Sequence, residues 1–370
     1  MTDTIQSYYD TIVSKRSFQH RVQQQRSARG WSQDELARRA GLSRTAISAI
    51  ETGRVVPSTA AALSLAEAFD CRVEDLFLLA GRSRRDAPRW AWAPAAAPAR
   101  FWRAAVGPDS IFYPVERTSI GLLPADGIAD GEKLALHPNA DPQGTLVLAG
   151  CDPAVGLIAA ELARVSSVRL LPLIRPSRQS LDLLRQNLVH VAGIHLQDPG
   201  SPRGNRQAVR QLLGRGYKLL HLTRWQEGLA LAPGLGIKSI PKAVSANLRW
   251  VGRVEGSGAR RCLDWILEGR SPLPAGYHHV APDHSAVVET IRTGWAQAGI
   301  CVRLSALEAG LDFLVAREED YDLCYREEME DDPRIQALLE AVRSHSFRRT
   351  LAELPGYQSA RTGELISVSG

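Results

Sequence analysis

Two groups of residues have types and spacings that could do chemistry. Between Ser32 and Gly53, Arg44, Thr45 and Ser48 point outward from a short apolar-faced helix pattern, where they can donate and accept hydrogen bonds as groove reading in DNA requires. Further on, four turns each open a helix pattern: Gly150-Cys151-Asp152-Pro153, the start at Ser177, Gly256-Ser257-Gly258 and Asp283-His284-Ser285. Free backbone amides at the positive end of a helix dipole suit an anion. Arg260 stands in the first turn of one of these helices, a placement that opposes the dipole unless an anionic partner or a surface carboxylate offsets it. Both readings of Arg260 stay open. His195, at the end of a strand pattern, reads either as a ligand-facing imidazole or as a core histidine bonded to backbone. Asp152 before Pro153 reads first as a helix cap and second as a ligand contact.

Several chemistries find no support in the spacing. Gly256-Ser-Gly has neither the P-loop spacing nor the dinucleotide glycine pattern, which disfavours nucleotides. His278, His279 and His284 lack a companion Cys or carboxylate at ligand-like spacing, so no metal is expected. The five cysteines, Cys71, Cys151, Cys262, Cys301 and Cys324, include no Cys-x-x-Cys pair and read as buried residues of a reducing compartment. Neither a nucleophile elbow nor a carboxylate pair at recognisable spacing is present, and no enzymatic role is expected.

The elements that must position these residues follow from periodicity and caps. Ser32 caps a helix, with Glu35 placed to reach back to the Ser32 amide, and Leu36, Ala37 and Ala40 form its apolar stripe. Gly41 supplies the sharp turn, and Ser43 caps the second helix over Ala46, Ile47 and Ile50. Pro57-Ser58 opens a third helix whose Ala62, Leu63, Leu65, Ala66 and Phe69 close a core with Leu76 and Phe77, giving an all-helical unit over residues 1 to 80. Residues 81 to 143 begin as Gly-Arg-Ser-Arg-Arg-Asp and an Ala, Pro and Trp-rich run, and read as a linker and connecting segment, either a partly ordered tether or, from the extended-strand alternation of Trp90, Trp92 and Trp102, a segment lying against a partner subunit or the next domain. From Gly144, apolar strands over 145–152, 168–174 and 189–196 alternate with helices, as in a parallel α/β sheet. A second α/β unit follows through strand patterns at 248–254 and 299–303, with later strands at 311–315 and 321–325 and a helix over 334–343. The two lobes, about 144–224 plus 326–360 and about 225–325, would enclose a cleft.

Two resemblances can be named on these residues. The Trp-Ser-Gln-Asp-Glu-Leu-Ala opening, the Gly-Leu-Ser turn, the Ile-Glu-Thr-Gly-Arg end and the Pro-Ser start, from about Phe18 to Leu79, resemble the Cro and lambda-repressor helix-turn-helix, the xenobiotic-response-element family. That resemblance implies a second helix in the major groove, with Ser43, Arg44, Thr45 and Ser48 at its reading end and Gln33, Arg38 and Arg54 nearer phosphates. The run from Gly144 to about Tyr357 is similar to periplasmic-binding-protein-like domains related to molybdate-binding proteins. The matching words are Ala-Gly-Cys-Asp-Pro-Ala, Val-His-Val-Ala-Gly-Ile-His-Leu, Gln-Glu-Gly-Leu-Ala-Leu-Ala-Pro-Gly, Gly-Ser-Gly-Ala-Arg and Gly-Leu-Asp-Phe with Tyr-Asp-Leu. It implies a type II two-lobed α/β fold and oxyanion capture by Cys151, Asp152, Ser177, Ser257, Gly258 and Ser285. Where that family has Asn-Arg before the Gly-Ser-Gly turn, this chain has Gly252-Arg253-Val254-Glu255, and Glu255 beside an anion would be repulsive.

The expected protein is a ligand-responsive DNA-binding regulator with an all-α helix-turn-helix domain followed by a two-lobed ligand domain. Double-stranded DNA and a small anion such as molybdate or tungstate are its expected partners, with no other cofactor. Residues 1 to 85 carry 13 Lys and Arg against 9 Asp and Glu, most of the whole chain's net +5, where phosphates would use it. A homodimer is expected because paired heads read paired half-sites. The N-terminus has no apolar signal region and no run is long enough to span a bilayer, so a cytoplasmic protein is expected. The competing readings are an enzyme on an anionic small molecule with an autoregulatory DNA-binding head, and a DNA-bound scaffold whose sensor domain takes no ligand.

Overall fold

The structure is a computed structural model describing residues 18–71, 73–79, 89–131, 133–138, 140–196, 204–267, 277 and 279–368. The chain divides into two compact units, residues 1–88 and 89–370. His278 and residues 81–88 of the expected linker lie outside the described residues.

In the first unit, a short strand pair brackets five helices. Strand β1 (Phe18–His20) runs antiparallel to β2 (Phe77–Leu79), and α1 (Val22–Ala28), α2 (Gln33–Ala40), α3 (Arg44–Glu51), α4 (Thr59–Phe69) and α5 (Val73–Leu76) lie between them. The strand pair is an addition to the all-helical expectation. Ser32, Ser43 and Ser58 each accept a hydrogen bond from the amide three residues on, which satisfies one orphan donor per helix. Gly41 takes φ 62°, the left-handed value that ends α2. Glu35 does not return to the Ser32 amide but gives its carboxylate to Arg38 and Arg39. Val22, Leu36, Ile47, Ile50, Leu65, Phe69 and Leu76 form the core, whereas Leu63 faces outward.

The second unit opens with a five-stranded sheet, antiparallel but for the parallel pairing of its first strand, where a linker was expected. Strands β3 (Arg89–Trp90), β4 (Ala99–Val106), β5 (Asp109–Pro114), β6 (Gly127–Asp130) and β7 (Lys133–Leu136) pair in the order β3-β5-β4-β6-β7. The correction has a packing cause. Trp102, Ile111 and Tyr113 on one face join the same core as Val147, Leu171 and Leu184, while Phe101 and Phe112 pack on the other face. Tyr113 donates to the Leu188 carbonyl at 2.7 Å, and Arg169 grips Asp126 with both guanidinium arms at 2.6 Å. The alternating tryptophans hinted at an extended strand lying on the next domain, and Trp92 and Trp102 do pack there, but the five-stranded sheet itself was not foreseen.

The two-lobed body is built on one mixed sheet. Strands β8 (Thr145–Gly150), β9 (Arg169–Ile174) and β10 (Val191–Ile194) are parallel, with α6 (Val155–Val165), α7 (Ser177–Arg185) and α8 (Gly204–Leu212) between and after them. The sheet then meets two strands of fifteen residues each, β11 (Tyr217–Leu231) and, later, the partner over Asp312–Arg326, paired antiparallel along nearly their whole length. The second lobe holds α9 (Ile240–Ser245), β12 (Trp250–Arg253), α10 (Gly258–Leu267), β13 (His279–Ala281), α11 (His284–Arg292), β14 (Ala298–Val302) and α12 (Arg303–Glu308). β15 (Asp312–Arg326) returns to the first lobe, where α13 (Pro333–Arg343), α14 (His345–Ala352), β16 (Tyr357–Gln358) and β17 (Leu365–Ser367) close the chain. The wholly parallel expectation is therefore corrected, and the strands expected at 311–315 and 321–325 are one.

His190 links the small sheet to this body. It is fully buried, accepts from the Val147 amide at Nδ1 (2.9 Å) and donates from Nε2 to the Ala105 carbonyl (2.8 Å). Burial, assisted by the Arg334 guanidinium, pushes its pKa down to about 4. The unfolded chain takes up that proton near pH 6.5, so this imidazole's contribution to stability is present above pH 6.5 and is lost as pH falls to about 4. Urea unfolding of the wild type and His190→Asn at pH 7 and pH 4 is expected to show a pH-dependent loss smaller in the variant by about 3 kcal/mol. Equal losses would refute the assignment.

Candidate functional site

The candidate DNA-reading face is α3, set by a buried ion pair beneath it. Glu51 at the end of α3 is buried and accepts from Arg26 Nε (2.7 Å), Arg26 Nη2 (3.1 Å) and Gln33 Nε2 (2.9 Å). One carboxylate thus fixes α1, α2 and α3 together. Arg44 and Thr45 are exposed and Ser48 is half-buried, while Ile47 and Ile50 turn inward. Arg38 is held by Glu35, Arg44 stands 3.5 Å from Asp34, and Arg54 donates to the Thr52 hydroxyl at 2.9 Å. These surface contacts are weak.

In the second unit, charged and imidazole side chains converge where β11 and β15 pass from one lobe to the other. Cys151 follows β8, and its Sγ lies 3.2 Å from His195 Nε2; His195 Nδ1 lies 3.0 Å from Glu319 Oε2. Arg317 on β15 donates to Glu227 of β11 at 2.7 and 2.9 Å and to Glu319 at 3.1 Å. His284 begins α11 and is fully buried, with neither ring nitrogen hydrogen-bonded. Arg253, at the end of β12, is fully buried, and none of its three guanidinium nitrogens has a hydrogen-bond partner. Trp225 Nε1 and Asp152 Oδ2 are likewise unpartnered. A small cavity of about 90 Å³ adjoins the cluster, lined by Thr118, Ser119, Cys151, Pro153, His284 and Ser285 among others. Wider hollows of about 610 and 720 Å³ are bordered by exposed residues such as Trp295 and Glu255 and contain none of the buried charges.

Burial dominates the electrostatics. It opposes a charged His195, but Cys151 and Glu319 outweigh it and hold the imidazole's pKa well above its usual value. Burial and then Arg253 drive His284 the other way, so that ring is neutral. Burial and the neighbouring Glu319 raise Glu227, while His195 and Arg317 overcome burial to hold Glu319 below the ordinary carboxylate range. Asp152 is pushed up to about 6 by burial, partly offset by the Tyr357 hydroxyl that donates to it at 2.7 Å.

A family profile described as a PBP superfamily domain matches residues 159–343, half of the chain, and a helix-turn-helix profile matches residues 22–76. The chain belongs to the PBP superfamily. It joins a helix-turn-helix DNA-binding domain to a PBP-like ligand-binding domain. Over 235 residues it is 27% identical to the uncharacterized protein YvgK of Bacillus subtilis (strain 168), covering 61% of this chain and 76% of that protein. Its helix-turn-helix end is 38% identical over 60 residues to the uncharacterized HTH-type transcriptional regulator YgzD of the same organism, 16% of this chain and 91% of that one. Among solved structures, a putative phosphate ABC transporter substrate-binding protein with bound phosphate from Clostridium perfringens aligns over 60% of this chain and 99% of its own, with 10% identity and a TM-score of 0.47. No helix among the described residues is long and apolar enough to cross a membrane.

Within this PBP-like domain, the residues singled out from sequence divide into three groups. Cys151, Asp152 and His195 lie in the buried cluster. Ser177 accepts from the His195 amide at 3.1 Å, and Gly258 lies so close to the His195 ring that a Cβ there would collide with it, so both position the imidazole. Ser257 spends its hydroxyl on Val254 and the Arg260 amide, capping α10, and Ser285 is exposed at the cavity's edge. Arg260 is corrected: it pairs with Asp264 at 2.8 Å outside the cluster, and the surface-carboxylate reading holds. Glu255 is exposed, so its feared repulsion does not arise.

Sequence reasoning missed Glu227, Arg253, Arg317 and Glu319, and set His284 aside. Cys151, His195 and His284 each offer a ligand atom within 4.8 Å of the others, as do His195, Glu227 and Glu319. Spacing along the sequence could not show these groupings, because their members come from separate strands and strand ends. The faint signal was the alternation Arg317, Glu319, Tyr321, which places three side chains on one face of β15. Because Arg317 neutralises two buried carboxylates, Arg317→Met is expected to lower stability by about 3–5 kcal/mol in urea unfolding. In an Glu227→Gln background the same change is expected to cost less; an equal cost would show that the carboxylates do not depend on it.

Proposed function

We propose that this protein is a one-component transcriptional regulator whose effector is a small oxyanion of the molybdate or tungstate class. The observation that carries this reading is Arg253, a fully buried guanidinium without a hydrogen-bond partner, beside the unpartnered ring of His284. Leaving a buried cation unpaired costs several kcal/mol, and an anion that accepts from it removes the cost. A cavity of about 90 Å³ suits a compact tetrahedral ion and is far below the ~300–1,000 Å³ of drug-sized or nucleotide sites. Cys151, Asp152, His195 and Ser285 border the ion in this proposal, with Ser177, Ser257 and Gly258 shaping the turns. Arg260 is left out.

On the DNA side, Arg44, Thr45 and Ser48 read bases, Ser43 sets their helix, and Arg38 and Arg54 meet phosphate, with Gln33 anchoring the frame through Glu51. A homodimer places two such faces on half-sites. The ligand acts only through its differential affinity for the arrangements with and without DNA.

Calorimetric titration of the whole chain with molybdate, tungstate, sulfate and phosphate is expected to give saturable heat with at least one of them. Arg253→Met is expected to weaken that binding at least a hundredfold while leaving the anion-free melting temperature unchanged or higher. No heat with any of the four, or equal binding by the variant, would sink the effector assignment. On the promoter of the chain's own operon, Arg44→Ala is expected to lose about ten- to hundredfold in an electrophoretic shift. Undiminished binding would remove α3 from the reading role.

A further inference from the structure

Three buried donors stand together at the lobe crossing. Cys151 Sγ, His195 Nε2 and one nitrogen of His284 all lie within 4.8 Å of one another, each on a residue less than a tenth exposed. We propose that Cys151, His195 and His284 bind a borderline-soft divalent cation of the zinc class in a three-ligand site with an open fourth position.

The donor chemistry selects the ion. One thiolate and two imidazoles suit zinc rather than magnesium or calcium, whose sites are built of oxygens. Bond lengths of about 2.0–2.1 Å to nitrogen and about 2.3 Å to sulfur place tetrahedral ligands about 3.3–3.8 Å apart. The Cys151–His195 separation of 3.2 Å is close to that value. His284 has no hydrogen bond to hold its ring, so a small rotation brings it in.

The surroundings are those of a ligand set. Histidines that bind metal commonly donate the other ring nitrogen to a carboxylate, which fixes the tautomer and aims the lone pair. His195 does this with Glu319 at 3.0 Å, and Arg317 holds Glu319 at 3.1 Å. Glu319 and Arg317 are thus positioning residues. The Cys151–His195–Glu319 array alone also resembles an activated thiol. A nucleophile, however, needs one imidazole, and the second, buried and unbonded at His284, has no task in that reading. The cavity lined by Ser119 and Ser285 leaves room for a fourth ligand.

The site goes beyond the oxyanion reading and is tested without any anion. Zinc-free whole chain, titrated against a chromophoric chelator, is expected to bind one zinc ion per chain. Cobalt(II) is expected to give tetrahedral visible bands and a thiolate-to-cobalt charge-transfer band in the near ultraviolet. Cys151→Ser is expected to abolish the charge-transfer band, and Cys151→Ser and His284→Ala each to weaken zinc at least a hundredfold. Cys71→Ser, in the other unit, leaves both readouts unchanged, and His284→Gln with matched far-ultraviolet circular dichroism controls for misfolding. The proposal is overturned by absent stoichiometric binding, by a cobalt complex lacking the thiolate band, or by unaltered affinity in both site variants. Rapid alkylation of Cys151 that zinc does not slow would also overturn it, in favour of a nucleophile. Arg253→Met separates the two proposals, since it is expected to keep the metal and lose the anion.

Discussion

Arg317 is the interaction on which the ligand domain turns. It stands on β15 where that strand crosses between lobes, and its guanidinium joins Glu227 of β11 to Glu319 of its own strand. Without it two carboxylates would face each other in a region sealed from water, a cost that would force one to take a proton. With it, Glu319 remains ionised and free to orient His195 through Nδ1, which turns Nε2 toward Cys151. One cation therefore does two things at once: it closes the crossing strands electrostatically and it aims the His195 imidazole at Cys151, which lines the cavity.

The cluster is only half balanced by the protein itself. Arg317 pairs with both Glu227 and Glu319, leaving only Oε1 of each without a hydrogen-bond partner, whereas no side-chain nitrogen of Arg253 or His284, both from the second lobe, has one. That asymmetry separates a structural ion network from a binding site. A network placed for stability completes its own hydrogen bonds, because each unsatisfied buried donor costs free energy comparable to the bond it lacks. Buried donors that remain unmade beside a paired set are what a domain closing on a ligand requires, since the ligand's own bonds then favour the closed arrangement.

Much of the fold was legible because it rests on local rules. Ser32 and Ser43 cap their helices through the expected side-chain bonds, Ser58 and Asp283 cap the helices expected to open beside them, and the apolar strand runs at 145, 169 and 191 begin within two residues of where periodicity puts them. The small sheet over 89–136 was not legible, because its alternation gains meaning only from Val147, Leu171 and Leu184, which lie far along the chain. Of the site, the turn residues Cys151, Ser177 and Ser257 announced themselves as helix starts. The charged strand residues did not. Arg317-Glu-Glu-Asp reads as a solvated break between two strands, since charges are rarely buried, and only the pairing with β11 shows the strand running through. Glu255 was expected beside the anion, but β12 ends at Arg253 and the chain turns at Gly256 (φ 78°), and Glu255 is exposed to solvent.

The same geometry sets the scale of what the domain can hold. Gly193 and Gly258 bring the backbone against the Tyr321 hydroxyl and the His195 ring, so close that any Cβ would collide. Such contacts draw the floor of the cleft tight around Cys151 and leave about 90 Å³ beside it. In a space of that size an organic ligand has too little wall to bury, so the proposed compact ion would be selected by charge and shape rather than by apolar contact. The glycines therefore do for ligand size what Arg317 does for charge, and the two constraints meet at His195, which both of them position.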